Sequence, residues 1–86
     1  MGLDTVYLIS KIEEHFDINI PNQDAEEIYT IRDICKMVSK HLNATSEKMQ
    51  MSDIEKQVLS IVAPHAGFDE SELSLDMSIT SDLGLD

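Results

Sequence analysis

This 86-residue sequence contains one thiol and three imidazoles, side chains that often serve as catalytic groups or metal ligands. His15, His41 and His65 are scattered, and none stands at a spacing from Cys35 that is typical of a nucleophile and its base. One thiol and dispersed imidazoles also supply too few ligands for a zinc site. We therefore expect neither an enzyme nor a metal centre, and we interpret Cys35 as a small buried residue rather than a reactive thiol.

Carboxylates are far more abundant, and calcium is a cation that they suit. The stretch "DINIPNQDAEEI", residues 17–28, begins as a calcium-binding loop does. It then has Pro21 at the fifth place, Asn22 where the loop needs glycine and Ile28 where it needs glutamate. Residues 76–86 also lack the pattern. No tight calcium site is predicted, and looser binding of cations by an acidic surface stays an alternative.

The balance of charge limits the classes of partner. Six basic residues face seventeen acidic ones, which gives a formal net charge of -11. Such a surface repels nucleic acid and anionic membranes and suits basic proteins or cations, although acidity can also serve solubility alone. No apolar run is long enough to span a bilayer, and no secretory signal precedes the first helical pattern, so we expect a cytoplasmic protein.

Apolar residues make up 42% of the chain and recur at helical spacing, which indicates one small all-α domain. An amphipathic helix is expected over residues 3–16, before a break at Pro21, and a short helix over residues 24–28. A further helix is expected to open at Thr30, with Asp33 as a weak partner in a capping box. Its buried stripe comprises Ile31, Ile34, Cys35, Val38 and Leu42.

The remaining sequence predicts a linker, a helix and a long loop. Residues 43–51 have no periodicity and favour the linker. Ser52 and Glu55 form a capping box for the next helix, which Pro64 and Gly67 are expected to end. The segment that follows is mostly loop, and a loop of this length in so small a domain usually has a function. Its apolar anchors are Phe68, Leu73, Leu75, Ile79 and Leu83.

Two segments of this chain resemble the acyl carrier protein family. Residues 3–42 contain "LDTVYLISKIEEHFDINIP" and "AEEIYTIRDI", which are similar to the second half of the family pattern. Residues 52–86 resemble the first half, with an opening helix, a long loop and "DLGLD". In the family, "D-x-G-x-D-S-L" crosses from that loop into the second helix, whereas here "DLGLD" ends at Asp86 and "LDTV" starts at Leu3. The resemblance implies a small four-helix bundle with three main helices, one short helix and a long loop.

The order of the two segments is exchanged relative to the family. We interpret residues 1–86 as a single acyl-carrier-like domain with permuted connectivity, in which the natural order is residues 52–86 followed by 3–42. The linker at residues 43–51 joins the old ends. A fragment that spans two tandem carriers is the alternative origin, and the Met-Gly start with a break inside the motif favours an engineered rearrangement. We expect a monomer, and exchange of halves between copies would give a domain-swapped dimer instead.

The resemblance also implies a cofactor, 4'-phosphopantetheine, on the serine of the D-S-L motif. Its thiol carries acyl chains as thioesters for fatty acid biosynthesis, and a helix N-terminus accommodates its phosphodiester. In this sequence the serine position falls on Gly2, flanked by Asp86 and Leu3, and glycine has no hydroxyl. No other serine follows "GLD" at a helix start. We therefore expect no phosphopantetheine on this chain.

Two further sets of residues follow from the resemblance. Acidic residues would meet basic patches on enzymes of fatty-acid or polyketide synthesis and on phosphopantetheinyl transferase, although a solvated helix face would look the same. Tyr7 stands where many relatives carry an acid. Apolar residues would line a cavity for the acyl chain, and the same side chains would build the core. The acids are Asp4, Glu13, Glu14, Glu26 and Asp86. The cavity residues are Leu8, Ile12, Ile20, Ile28, Ile34, Val58 and Ile79.

Overall fold

A computed structural model of this chain describes residues 3–43 and 49–84. These two stretches contain four α-helices and one short 3-10 helix, and they contain no β-strand. None of the helices they contain has the length and apolar character needed to cross a membrane. The predicted all-α bundle of three main helices, one short helix and a long loop is confirmed. The α-helices are α1 (Leu3–Phe16), α2 (Asn22–Ala25), α3 (Ile31–Asn43) and α4 (Met51–Ala66), and the 3-10 helix covers Glu70–Glu72.

The first helix, α1, forms where the apolar spacing predicts it. Leu8, Ile12 and Phe16 are buried on one face, because residues four apart lie above one another on a helix. The helix ends at Phe16 and is followed by Asp17, whose φ of 55° lies in the left-handed region. The Ile18 N–H then donates to the Glu13 carbonyl at 3.1 Å, which closes the last turn.

The short helix α2 lies earlier in the chain than the predicted range of residues 24–28. It covers Asn22–Ala25 and begins directly after Pro21, whose φ is -60° and ψ is 153°. The Pro21 carbonyl accepts a hydrogen bond from the Ala25 N–H at 2.9 Å. A proline suits this position because its φ is already fixed at a helical value and it has no N–H to leave unpaired. The helix therefore begins at Asn22, the residue directly after the proline.

The predicted start of α3 is confirmed, and its capping box is complete. The Thr30 N–H donates to Asp33 Oδ2 at 3.1 Å, and the Asp33 N–H donates to Thr30 Oγ1 at 3.2 Å. Each side chain thus satisfies a backbone donor that the helix itself leaves free. All five residues of the predicted inner stripe are buried, namely Ile31, Ile34, Cys35, Val38 and Leu42.

The predicted capping box at Ser52 and Glu55 is wrong. Helix α4 begins at Met51, its N-cap is Gln50, and no side chain caps it. Gln50 has the extended backbone that an N-cap requires, with ψ of 146°, whereas Ser52 already lies in the first helical turn. The helices also extend into the predicted linker at both sides, since Asn43 belongs to α3 and Met51 to α4.

The predicted end of α4 is right at Gly67 and wrong at Pro64. Pro64 lies inside the helix, which continues to Ala66. Pro64 lies in the last turn, where it removes the backbone hydrogen bond to the Ser60 carbonyl and only two helical residues follow it. Gly67 has a φ of 77° and donates its N–H to the Ala63 carbonyl at 2.9 Å, a left-handed cap that glycine adopts without strain.

The long loop after α4 is docked onto the start of α3. The Arg32 N–H donates to the Leu75 carbonyl at 2.8 Å, and the Ile31 N–H donates to the Met77 carbonyl at 3.3 Å. The loop thereby supplies acceptors for backbone donors that the first turn of α3 leaves unpaired. All five predicted anchors pack into or against the core. Ile79 and Leu83 are buried, and Phe68, Leu73 and Leu75 are partly buried.

Candidate partner and acyl-binding surfaces

The predicted attachment position lies outside the described residues. Gly2 and Asp86 both fall there, and the described chain begins with α1 at Leu3 and ends at Gly84. The loss of the serine and the juxtaposition of the two ends therefore stay predictions from the sequence. The nearest buried anchor on the loop side is Leu83, which belongs to the same core as Leu8 of α1.

The seven residues predicted for the acyl cavity all lie in one buried cluster. They come from α1, α3, α4 and the loops that follow α1, α2 and α4, and each has at most 6% of its surface exposed. In the described structure they pack against one another as a core. Two surface hollows between α1 and α4 are lined by other residues. This grouping is compatible with a cavity that opens when an acyl chain enters, and it is equally compatible with a closed hydrophobic core. The seven are Leu8, Ile12, Ile20, Ile28, Ile34, Val58 and Ile79.

The acidic residues predicted to meet partners fall into two groups. Asp4, Glu14 and Glu26 are exposed and offer their charge to the surroundings. Glu14 also lies 3.7 Å from the Lys11 ammonium, a pair in which the Glu14 side chain is 74% exposed. Ion pairs of this kind at the surface contribute little free energy, so a cation of a partner can replace Lys11 beside Glu14.

Glu13 differs from the other acids because its carboxylate is used within the fold. The Ile20 N–H donates to Glu13 Oε2 at 2.8 Å, across the turn that follows α1. The Glu13 carbonyl also accepts a hydrogen bond from the Ile18 N–H, so Glu13 fixes two backbone groups of the turn. A charged hydrogen bond to a backbone N–H is stronger than a neutral one, and it holds Ile20 in position to enter the core. Glu13 thus has a structural role that sequence reasoning did not predict.

The two surface hollows lie between α1 and α4, and sequence reasoning missed them. One has a volume of about 320 Å³ and is lined by Asp4, Tyr7, Pro64 and His65, and we call it the Asp4 hollow. The other has a volume of about 330 Å³ and is lined by Lys11, Glu14, His15, Ile61 and His65, and we call it the Glu14 hollow. His65 belongs to both. Residues 7 and 65 are far apart in the chain, so no local spacing could reveal the pairing. The one signal was Tyr7 itself, which the family resemblance places where an acid is expected.

Aromatic contacts order the side chains around these hollows. The rings of Tyr7 and His65 have centroids 5.2 Å apart with an interplanar angle of 34°. The Lys11 ammonium lies 5.3 Å from the centroid of the Tyr7 ring, within the range of a cation–π contact. Tyr7 is nevertheless 55% exposed. His65 Nε2 is buried and has no hydrogen-bond partner.

The other two histidines lie beside polar side chains of the fold, and the cysteine is buried. His15 Nε2 lies 2.7 Å from Gln57 Oε1, and His41 Nε2 lies 3.4 Å from the Asp24 carboxylate. Within residues 3–43 and 49–84 no three histidine, cysteine or acidic side chains are grouped so that they could hold a metal ion. Cys35 is only 1% exposed, and burial raises its thiol pKa to about 12, with the negative charge of Glu55 as the second cause. The interpretation of Cys35 as a buried residue is confirmed.

A surface ion pair accompanies the backbone hydrogen bonds between the loop and α3. Arg32 Nε donates to Asp76 Oδ1 at 3.0 Å, beside the backbone bonds that Arg32 and Ile31 make to the same loop. The Ile79 N–H donates to the Tyr29 carbonyl at 2.9 Å on the other side of the cap. Segments that lie more than 40 positions apart in the chain are therefore joined by main-chain and side-chain contacts.

Comparison with curated proteins gives an informative likeness for part of the chain. No protein-family model matches the chain, and no solved structure matches it. Among curated proteins, an acyl carrier protein of Syntrophobacter fumaroxidans is 46% identical over 40 residues. The aligned part covers 46% of this chain and 49% of that protein, so the chain spans about half the length of the relative it matches. Part of this chain is thus similar to an acyl carrier protein.

Proposed function

We propose that this chain is a circularly permuted acyl carrier scaffold, a protein-interaction module related to carriers of fatty acid biosynthesis and not an enzyme. The observation that carries the proposal is the shared core. Leu8 and Ile12 come from the segment that resembles the second half of a carrier, and Val58 and Ile79 come from the segment that resembles the first half. All four lie in one buried cluster. The two segments complete one bundle in spite of their exchanged order.

The extent of the likeness supports the same proposal. An alignment follows the chain in order, so a protein with exchanged halves can align with an unpermuted relative over only one half at a time. The match to the acyl carrier protein covers 46% of this chain and 49% of the relative, as this reasoning requires. The linker at residues 43–51 would then join the former C-terminus to the former N-terminus, which lie near each other in many compact domains.

The proposed scaffold carries no acyl chain of its own. In carriers of this family, phosphopantetheine supplies the thiol on which acyl groups travel, and a serine at a helix start holds it. Gly2 stands at that position and has no hydroxyl. Ser10, Ser39 and Ser60 lie well inside helices, where neighbouring turns already use the backbone N–H groups that would face a phosphodiester. The described fold therefore offers no substitute for a serine at position 2 among these three.

The partners we propose are basic patches on enzymes of fatty-acid or polyketide synthesis. Asp4, Glu14 and Glu26 are exposed on a chain whose formal net charge is -11, which attracts such patches and accelerates association with them. Glu13 contributes less, since its carboxylate is occupied by the Ile20 N–H. We propose a cytoplasmic location for this module together with these enzymes.

The test uses a phosphopantetheinyl transferase with coenzyme A, read by intact mass. We expect no added arm on this chain. The matched control is a reordered chain, residues 52–86, then one serine, then residues 3–42, which restores "DLGLDSLDTV" and should be modified. Addition of the arm to the unaltered chain would overturn the loss of the site. A reordered chain that folds and yet stays unmodified would overturn the relationship to carriers.

A further inference from the structure

We infer that the Asp4 hollow, lined by Asp4, Tyr7, Pro64 and His65, is a pocket for the guanidinium group of an arginine on a partner protein. The inference rests on the proposed function, since it names the group through which a basic partner would be anchored. It assigns to Tyr7 and to His65 of α4 a binding role that the acidic residues alone do not supply.

Charge favours a cation in this hollow. Asp4 is exposed in the first turn of α1, and the hollow is enclosed by a molecule with a formal net charge of -11. The field of so acidic a protein concentrates cations at its surface and repels anions. Pro64 and His65 form the opposite wall. A cation that enters the hollow from the solvent therefore meets the Asp4 carboxylate on its wall.

The aromatic wall favours a planar cation. Tyr7 is 55% exposed, and its ring attracts positive charge through its π face. A guanidinium is flat and stacks on such a ring, while its N–H groups stay free to donate in its own plane. Those donors have an acceptor here in the Asp4 carboxylate, and the ring of His65 forms part of the opposite wall. An ammonium has the charge but cannot stack, and we therefore assign the pocket to arginine rather than lysine.

Lys11 lines the neighbouring Glu14 hollow and competes with the guest for the Tyr7 ring. Its ammonium lies 5.3 Å from the Tyr7 ring centroid and 3.7 Å from Glu14 Oε2. An arginine that stacks on this face of Tyr7 displaces the Lys11 ammonium from the ring, and Lys11 can stay paired with Glu14 at the edge of the Glu14 hollow. Lys11 thus acts as an internal competitor. Removal of its charge should strengthen the binding of an external guanidinium.

The experiment titrates the ¹⁵N-labelled chain with N-acetyl-arginine amide and follows backbone amide shifts. The matched probe is N-acetyl-citrulline amide, which has the same shape without the charge. We expect the arginine probe to shift amides of Asp4, Tyr7 and His65 more than that of the distant acid Glu26, and the citrulline probe to leave them unchanged. Equal shifts with both probes, or shifts spread evenly over the acids, would overturn the pocket. Equal affinity for N-acetyl-lysine amide would overturn the choice of guanidinium.

Variants separate the ring, the charge and the competitor. Tyr7→Leu should weaken binding of the arginine probe by about two- to fivefold, whereas Tyr7→Phe, which keeps the ring, should stay within about twofold of the parent. Asp4→Asn should weaken it by about two- to fivefold, and Glu27→Gln, which removes the same charge from an exposed site elsewhere, should have a smaller effect. Lys11→Met should tighten it. Thermal unfolding by circular dichroism verifies that each variant is folded.

The pocket and the carrier proposal fail separately. If the probe does not bind while the reordered chain accepts phosphopantetheine, the pocket is wrong and the carrier relationship stands. If the reordered chain folds without accepting the arm, the carrier relationship is wrong whatever the probe does. A Lys11→Met variant that binds the arginine probe no better than the parent contradicts the internal competition.

Discussion

At the scale of single residues, burial decides the chemistry of the one thiol. Cys35 stands on the inner stripe of α3 with 1% of its surface exposed. Removal from water disfavours the thiolate, and the carboxylate of Glu55 disfavours it further, so the pKa rises from 9.0 to about 12. The sequence predicted this burial from the helical spacing alone. It could not predict the contribution of Glu55, which depends on how α4 packs against α3.

A pH dependence of stability follows for Cys35. The folded thiol keeps its proton up to a higher pH than the unfolded one, so its contribution is fully present below the unfolded pKa and is lost as pH rises toward the folded value. We therefore expect the free energy of unfolding to fall between pH 9 and about pH 12, and Cys35→Ala to reduce that slope. Urea unfolding at several pH values measures both chains. Identical slopes for the two chains would contradict the prediction, since other groups that titrate there are common to both.

At the scale of elements, two similar motifs have opposite outcomes. Thr30 and Asp33 form a reciprocal capping box at α3, whereas Ser52 and Glu55 form none at α4. The local pattern favoured the second, because glutamate at the third position is the usual partner. The tertiary structure decides between them. The docked loop fixes the backbone at the start of α3, and nothing comparable defines Ser52 as the residue that precedes α4.

This contrast predicts different costs for two similar substitutions. Thr30→Ala removes a cap and should lower the free energy of unfolding by about 0.5–2 kcal/mol. Ser52→Ala removes a hydroxyl that caps nothing and should change it by less than about 0.5 kcal/mol. Urea unfolding of the two variants beside the parent chain gives both values. A cost for Ser52→Ala equal to that of Thr30→Ala would mean that the helix start differs from the one described.

The helices also show which features of the fold can be predicted from the sequence and which cannot. The range of α1 and the inner face of α3 followed from apolar spacing, because periodicity integrates over many residues. The ends of α4 did not follow from apolar spacing, because they depend on single backbone groups near Gln50 and Pro64. The hollows between α1 and α4 were beyond reach for a different reason. They require the relative placement of Tyr7 and His65, which no local pattern contains.

At the scale of the whole molecule, the two segments behave as parts of one body. The chain has a radius of gyration of 11.8 Å, close to the value of about 12 Å expected for a compact domain of this length. The Arg32–Asp76 pair and the loop bonds to α3 cross from one segment to the other, as does the core. The exchanged order that we propose was inferred from the sequence, because each segment by itself resembles one half of the family pattern. The contacts between the two segments could not be predicted, because they join residues that are far apart in the sequence.

The connection between α3 and α4 decides whether the halves meet within one copy. We expect light scattering at two concentrations to give a monomer, because the segments share a core and a net charge of -11 opposes self-association. Deletion of residues 44–50 would join Asn43 directly to Met51, so α3 and α4 could run on as one helix and α4 could no longer pack on α3 of the same copy. That variant should form a domain-swapped dimer. Replacement of the same seven residues by glycine and serine should leave a monomer, since a flexible linker of equal length still permits the return. A parent chain that is already dimeric at both concentrations would favour the alternative origin, in which each half belongs to a different carrier and finds its complement in a second copy.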